Sequence, residues 1–155
     1  MVVKLHKMKV QEIKNLINDE MLCRIAFKGT KFPYIAPFQY VYMNGSLYFH
    51  FTDYGRKMKL LESDNSVCVE IEKLQPDLSE YHFVSLRGNL NVVTDPNERA
   101  KVIRQMSEDG RQKLSQNFLA AHGLKVTEGW SSFTPDKPLV IVKLEIVEEI
   151  GIKSP

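Results

Sequence analysis

The sequence predicts a mainly β protein in which six antiparallel strands form a small barrel with helices at its periphery. Three observations lead to this fold class. Short apolar or alternating runs recur along the chain, Asn44-Gly45 joins two of them as in a tight hairpin, and helical patterns separate others. No internal repeat, low-complexity tract or linker interrupts this order, so we expect residues 1–155 to form a single domain.

The first half of the chain is predicted to contain two helices around a β-hairpin. Apolar residues recur at helical spacing over residues 9–19, which predicts an amphipathic helix. Between the hairpin and the next strand, a short helical pattern begins at Arg56. The strands are predicted at 21–27, on either side of Asn44-Gly45 with the second at 47–51, and at 66–71.

The second half contains the clearest helix start. Asp95 is a predicted N-cap, and Glu98 stands at the capping-box position. We expect this helix to break near Gly110 and a second helical piece to end at Gly123, a C-cap residue. The strands are predicted at 82–93, where Gly88 indicates a bend or bulge, and at 139–146, with an extension at 150–153 after a kink.

The hairpin strands are apolar on both faces, which distinguishes them from the long strand at 82–93. In the long strand, apolar and polar side chains alternate, so one face fits a barrel interior. In the hairpin, Tyr34 and Phe38 alternate with residues that are also largely apolar. A strand with two apolar faces needs cover outside the barrel. We therefore expect a partner subunit, a bound aromatic ligand, or both on its outer face.

Composition narrows the function classes. Lys and Arg number 21 against 19 Asp and Glu, so the chain lacks the broad positive charge of a nucleic-acid-binding protein. No run approaches the length of a membrane span, and the N-terminus lacks the apolar region of a secretory signal. These features predict a cytoplasmic protein that binds neither nucleic acid nor membrane.

The cysteines and histidines do not predict a metal site. Cys23 and Cys68 each lie within an apolar run, and we expect both to be buried reduced thiols. A disulfide or a metal site is the alternative, but the chain has no CxxC spacing. His6, His82 and His122 are scattered along the sequence without ligand spacing.

Arg56 and Lys57 predict an anion site. They lie where a helix begins, beside unpaired backbone N–H groups and the positive end of the helix dipole. A solvated pair is the alternative, but cations at this end are unfavourable without an anion. A phosphate satisfies both the charges and the N–H groups. Together with the aromatic hairpin, this site suits a flat ring system that carries a phosphate.

The chain resembles the pyridoxamine 5′-phosphate oxidase-like family in three ordered segments, PYIAPFQYVYMNGSLYFHFTDYGRKMKLLESDNSVCVEI, YHFVSLRGNLNVVTDPNERAKVI and LVIVKLEIVEEIGIK. The nearest branch is the nitroimidazole-resistance (nitroreductase-like) proteins, which share a P-Y-x-x-P strand, a Tyr-Phe-His strand end and a Gly-Arg/Lys-Lys element. The resemblance is strongest over residues 21–93. It implies a six-stranded antiparallel FMN-binding split β-barrel and a homodimer with FMN at the subunit interface.

The resemblance also implies which residues hold the cofactor. Backbone in two short runs would line the flavin ring, and a cationic pair would bind its phosphate. The ring-lining residues are Pro37, Phe38, Gln39, His50, Phe51 and Thr52, and the phosphate-binding residues are Arg56 and Lys57.

Two departures from the family pattern limit the implied chemistry. Phe83 stands where relatives often carry Ser or Gln, so a side-chain hydrogen bond from this position is not expected. The C-terminal Arg-x-His element that oxidases of this family use on the pyridoxal ring is missing, because the chain closes with EIVEEIGIKSP. We therefore do not predict oxidation of pyridoxamine phosphate.

Several side chains have alternative interpretations. His50 is interpreted as flavin-lining, although an isolated histidine at a strand end is usually structural. Gln39 is either an exposed strand residue or an amide that contacts a flavin edge. Ser85 and Arg87 are interpreted as solvated or as subunit contacts. Trp130 is interpreted as a plug at a core edge, with a lid over the partner's flavin as the alternative.

These observations predict a homodimeric FMN-dependent oxidoreductase that passes hydride to a small electron-poor acceptor. The chain has neither a GxSxG elbow nor a GxGxxG or Walker motif. The prediction of an enzyme therefore depends on the flavin, and no residue is assigned as catalytic. The principal alternative is a non-catalytic flavin- or haem-binding module for storage, sensing or electron transfer. Deazaflavin is an alternative cofactor, and an aromatic barrel that binds single-stranded nucleic acid is disfavoured by the near-neutral charge.

Overall fold

In the computed structural model, which describes residues 1–155, six strands close into an antiparallel barrel. Around the barrel the strands follow the order β7-β4-β3-β2-β5-β6, and pairing of β6 with β7 closes it. The predicted fold class is thereby confirmed. The strands are β2 (Leu22–Phe27), β3 (Tyr34–Met43), β4 (Ser46–Phe51), β5 (Ser66–Leu74), β6 (Tyr81–Val92) and β7 (Val140–Lys153), and β1 (His6–Lys7) extends the sheet at the end of β7.

Helices lie at the periphery, as the sequence predicts. Three of them are α-helices, and none is long and apolar enough to cross a membrane. Three short 3₁₀ helices follow the last α-helix, and we call residues 116–132 the 3₁₀ segment. The α-helices are α1 (Val10–Asp19), α2 (Arg56–Ser63) and α3 (Pro96–Lys113), and the 3₁₀ helices are Gln116–His122, Val126–Glu128 and Trp130–Ser132.

Helix α3 does not break at Gly110, contrary to the sequence prediction. It continues to Lys113, and Gly110 is buried within it. The predicted second helical piece is a 3₁₀ helix that begins after Ser115, although it ends at Gly123 as expected, with a left-handed φ of 74°. The helix start is confirmed at Asp95, whose carboxylate accepts a hydrogen bond from the Glu98 N–H.

The capping box is only half formed. The Glu98 carboxylate does not return to the cap but accepts hydrogen bonds from the Tyr48 hydroxyl at 2.7 Å and from Lys143 Nζ at 3.2 Å. These contacts attach the first turn of α3 to β4 and β7.

The chain itself covers part of the hairpin's outer face. The barrel interior holds one hydrophobic core, and a second core lies outside it, where α3 packs over β3 and β4. The expected cover by a partner or a ligand is therefore not what covers the part of this face near the Asn44-Gly45 turn, because an amphipathic helix of the same chain supplies the apolar cover there. The second core consists of Val41, Tyr48, Val93, Val102, Ile103, Met106, Phe133, Leu139 and Ile141.

The two cysteines differ in exposure. Cys23 is buried, as predicted, and its burial raises the pKa of the thiol. Cys68 is exposed, contrary to the prediction. The reason is the strand period: Val67 and Val69 point into the barrel, so the side chain between them points outward.

The bend predicted at Gly88 is a register shift between β6 and β7. A Cβ atom at Gly88 would lie only 2.1 Å from the carbonyl oxygen of Glu145, so only glycine permits this close approach of the two backbones. Strand β7 continues through the predicted kink without interruption.

Candidate functional site

The ladder between β3 and β4 ends before either strand does. Tyr40 and Phe49 form the pair nearest its open end. Beyond them β3 pairs only with β2, and β4 pairs only with β7. Two strand edges therefore diverge here, and their facing backbone groups lack a strand partner. We call this opening the split.

The six predicted ring-lining residues lie along the two edges of the split. Pro37, Phe38 and Gln39 belong to β3, whereas the other three are at and just beyond the end of β4. The side chains of Phe38 and Phe51 point into the barrel, where their rings stack with centroids 5.0 Å apart. These two residues can therefore offer only backbone to a ligand outside the barrel. The structure thus places the six predicted residues around one opening. That they line a flavin ring stays a prediction.

Helix α2 begins near the split with two cations that have no carboxylate partner. Gly55 precedes the helix with φ of 97°. The guanidinium carbon of Arg56 lies 5.4 Å from the centroid of the Tyr34 ring, and Lys57 Nζ lies 4.7 Å from that of Phe38. Neither cation takes part in any of the eight ion pairs of the chain. Two positive charges at the positive end of a helix fit an anionic ligand.

A chain of polar side chains crosses the outer face of the split. His122 Nε2 lies 2.8 Å from Gln39 Oε1 on β3, and His122 Nδ1 lies 3.0 Å from His50 Nδ1 on β4. Gln39 Nε2 in turn donates to the carbonyl oxygen of Met106 in α3 at 3.2 Å. His122 thus connects the two strands directly beyond their last ladder pair.

His50 and His122 are both buried, and both are neutral over the physiological pH range. Burial, the adjacent His122 ring and the charges of Lys57 and Arg99 lower the pKa of His50 to about 3. Burial and the charge of Lys57 lower the pKa of His122 to about 4. Gln39, predicted as either exposed or a ligand contact, is also buried.

Aromatic rings surround His122. The His122 ring lies 5.0 Å from that of Phe133 and 5.7 Å from that of Trp130, measured between centroids. Trp130 is buried at a core edge, in line with the plug interpretation. Its Nε1 is the one fully buried side-chain nitrogen or oxygen without a hydrogen-bond partner.

His122 is the site residue that sequence reasoning misses. In the sequence it is one of several scattered histidines, because it lies 72 residues beyond His50, at the end of a predicted helical piece. Only the path of the 3₁₀ segment across the hairpin brings the two rings together, and no local pattern signals this path.

A separate groove lies elsewhere on the barrel surface. It has a volume of about 580 Å³, and none of the eight predicted residues lines it. Two of its cations are already paired: Lys28 with Asp64 at 2.9 Å, and Arg87 with Glu148 at 3.4 Å. Its third cation, Lys31, forms none of the ion pairs of the chain. The split, which combines two unpaired cations with a helix start, is therefore the better candidate for an anionic ligand.

The fold is shared with solved structures of several flavin-related proteins. A FAD-binding protein from Mesorhizobium loti superposes with a TM-score of 0.70 at 15% identity, covering 97% of this chain and 96% of its own. A candidate 5-nitroimidazole antibiotic resistance protein from Bacteroides thetaiotaomicron gives 0.64 at 20% identity, covering 97% and 87%. A FAD and haem binding protein from Mycobacterium smegmatis gives 0.67 at 11% identity, covering 94% and 71%.

No curated protein matches the chain in sequence. The sequence model of the pyridoxamine 5′-phosphate oxidase family, in contrast, matches residues 9–128. This match spans α1, the whole β3–β4 hairpin with the split, and α2, and it includes the hydrogen-bonded side chains of Gln39, His50 and His122. The chain therefore belongs to the pyridoxamine 5′-phosphate oxidase family.

Proposed function

We propose that the protein is a homodimeric FMN-dependent oxidoreductase whose flavin lies against the split. The observation that carries this proposal is the pair Arg56 and Lys57, two cations without carboxylate partners at the start of α2, beside two strand edges with unpaired backbone groups. Family membership and the flavin-related structural neighbours support it.

The residues around the split have separate roles in this proposal. Lys57 provides a point charge to the phosphate, and Arg56 provides a planar fork of donors. The backbone of 37–39 and 50–52 offers hydrogen-bonding groups to the ring edges. When bound, the flavin supplies the redox chemistry, and the protein supplies orientation and electrostatics.

FMN is the proposed form of the flavin, because the paired cations suit a terminal phosphate. Two Mycobacterium smegmatis neighbours and the Mesorhizobium loti neighbour are named for FAD, and one of them also for haem. FAD would place its diphosphate at the same cations, so a comparison of FMN, FAD and riboflavin affinities separates these ligands. Deazaflavin is distinguished by its absorption spectrum.

A small electron-poor acceptor is the proposed substrate class. One structural neighbour is named as a candidate nitroimidazole-resistance protein, and nitroimidazoles are electron-poor. Oxidation of pyridoxamine phosphate is not proposed, because Phe83 and the C-terminal sequence EIVEEIGIKSP depart from the oxidases of the family.

A second candidate is a flavin-binding protein without catalysis. It is favoured by one observation: several structural neighbours are named only for binding FAD or haem. It shares the site with the first candidate and differs only in whether reducing equivalents pass through the bound flavin.

Absorption spectroscopy of the purified protein tests both candidates. We expect added FMN to bind with a shifted flavin spectrum and to be bleached by NAD(P)H without oxygen, then reoxidised by a nitroaromatic acceptor. Binding without bleaching would favour the non-catalytic candidate. Failure to bind any flavin would refute both.

A further inference from the structure

The polar chain across the split has a fixed direction. Gln39 Nε2 donates to the Met106 carbonyl, so Gln39 Oε1 is the atom that faces His122. A carbonyl oxygen only accepts, which makes His122 Nε2 the donor of this hydrogen bond. The Met106 carbonyl, which belongs to the backbone of α3, therefore determines the orientation of the whole chain.

The direction of these hydrogen bonds also determines which nitrogen of His50 carries the proton. A neutral imidazole carries one proton, so a His122 ring that donates from Nε2 has an accepting lone pair on Nδ1. The 3.0 Å contact between the two Nδ1 atoms then requires His50 to donate from its Nδ1. Because His50 is also neutral, its Nε2 carries a lone pair and no proton.

This lone pair is available at the site. His50 Nε2 makes no hydrogen bond within the chain, whereas its Nδ1 is occupied by His122. It is not fully buried, because Trp130 Nε1 is the only fully buried side-chain polar atom that lacks a partner. His50 belongs to the β4 edge of the split, against which the proposed flavin would lie.

We propose that Gln39 and His122 are positioning residues that hold His50 in the Nδ1–H tautomer, so that its Nε2 accepts a hydrogen bond from the imide N–H of the bound flavin. The assignment of the ligand rests on the proposed function. Oxidised isoalloxazine has a single N–H, on the imide, whereas its two unsubstituted imine nitrogens and its two carbonyl oxygens only accept hydrogen bonds. Within the ring system, a fixed acceptor on the protein can therefore pair only with that group, and a ring edge that offers an acceptor there would leave two lone pairs facing each other.

The tautomers are measured first in the free protein, by nitrogen-15 NMR of labelled histidine, with His50→Gln to assign the resonances. We expect His50 as the Nδ1–H tautomer and His122 as the Nε2–H tautomer. In His122→Phe, which keeps an aromatic ring against Phe133, His50 should populate both tautomers. His122→Gln should restore the wild-type tautomer, because an amide can also accept from His50 and donate to Gln39.

The flavin group that pairs with His50 is identified by measuring the affinities for FMN and for FMN methylated at the imide nitrogen. We expect methylation to weaken binding to the wild type, and His122→Phe to weaken binding of FMN by about two- to tenfold, the range of one neutral hydrogen bond. His122→Phe should distinguish the two ligands less than the wild type does, because only part of its His50 carries the lone pair on Nε2, and His122→Gln should behave as the wild type. The exposed His6→Phe is the control and should leave both affinities unchanged.

The outcomes separate this inference from the proposed function. An Nε2–H tautomer of His50 in the free wild-type protein, or equal affinity of the wild type for both ligands, would overturn the inference while FMN binding persists. Absence of FMN binding to the wild type would instead refute the proposed function and, with it, the ligand assigned to His50.

Discussion

At the residue scale, Lys57 determines whether the split recognises a phosphate. Its ammonium lies over the Phe38 ring without a carboxylate partner, so its removal costs the chain only a cation–π contact. We expect Lys57→Ala to weaken FMN binding by about 1.5–3 kcal/mol, roughly ten- to a hundredfold, because one charged hydrogen-bond partner is lost. Riboflavin lacks the phosphate and should bind weakly and equally to both proteins. Fluorescence titration measures all four affinities.

Lys59→Ala is the matched control for this substitution. Lys59 is also in α2 and is exposed, so its removal changes the net charge equally without altering the helix start. If FMN and riboflavin lost equal affinity in Lys57→Ala, Lys57 would support the fold and would not hold the phosphate.

The buried histidines make stability depend on pH. Their pKa values in the folded state are about 3 and about 4, below the ordinary 6.5, so the unfolded chain binds protons first as the pH falls. Stability is therefore lost from about pH 6.5 downward, by about 2 kcal/mol for each histidine between pH 7 and pH 5. We expect His122→Phe to reduce this loss by about 2 kcal/mol, measured by urea unfolding at both pH values.

His6→Phe serves as the control for the pH experiment, because His6 is exposed and lies outside the histidine chain. An unchanged difference between pH 5 and pH 7 in His122→Phe would mean that His122 takes up its proton at the same pH in the folded and the unfolded protein, which would contradict the lowered pKa of this residue.

The site residues differ in how far the sequence predicts their position. The hairpin turn and the helix start are local signals, and they correctly bring 37–39, 50–52 and the two cations to one opening. The burial of Gln39 and His50 was not predictable, because the residues that cover them come from α3 and the 3₁₀ segment. Such contacts depend on the path of distant chain, which has no signal in a single sequence.

At the scale of the element, Gly110 illustrates how packing overrides helix propensity. Glycine disfavours the helix interior by about 1 kcal/mol relative to alanine, which is why the sequence predicts a break there. In the folded chain this glycine leaves room for the Trp130 ring, which sits where a Cβ atom would be. The contact attaches the 3₁₀ segment to α3, and with it His122.

We expect Gly110→Ala to destabilise the protein despite the better helix propensity of alanine. The new Cβ would lie 2.4 Å from Trp130 Cε3. Because the indole is rigid, this overlap can be relieved only if the 3₁₀ segment moves away from α3. Overpacking of this kind costs about 1–3 kcal/mol, which outweighs the propensity gain. Urea unfolding measures the change in the free energy of unfolding.

A double-mutant cycle identifies the cause. In a Trp130→Ala background the indole is absent, so Gly110→Ala should become neutral or stabilising. Equal destabilisation in both backgrounds would place the strain within α3 itself and not at the contact with Trp130.

At the scale of the whole molecule, the outer sheet face is only partly covered by the chain. Helix α3 covers the end of the hairpin near the turn, but the other end remains open to solvent. There Leu22 on β2 and Ile35 on β3 are exposed on neighbouring strands, with Pro37 between them. The two apolar faces of the hairpin indicate that a partner subunit covers the outer one. Because α3 already covers the end near the turn, we expect the partner at the open end, which adjoins the split.

We predict that this face forms the homodimer. Ile35 is 62% exposed on this face, where Arg24, opposite Pro37, is neutralised by ion pairs with Glu70 and Glu72. The same patch on a second copy, related by a two-fold axis, would bury Ile35. Light scattering at micromolar concentration should give twice the 17.9 kDa of one chain. Ile35→Asp should shift the protein toward monomer, because a carboxylate would be buried without a partner.

Val10→Asp is the control. Val10 is 58% exposed on α1, so this variant should remain dimeric. A wild-type mass of one chain would refute the dimer, and dissociation by both variants would show that the partner surface is not confined to this face.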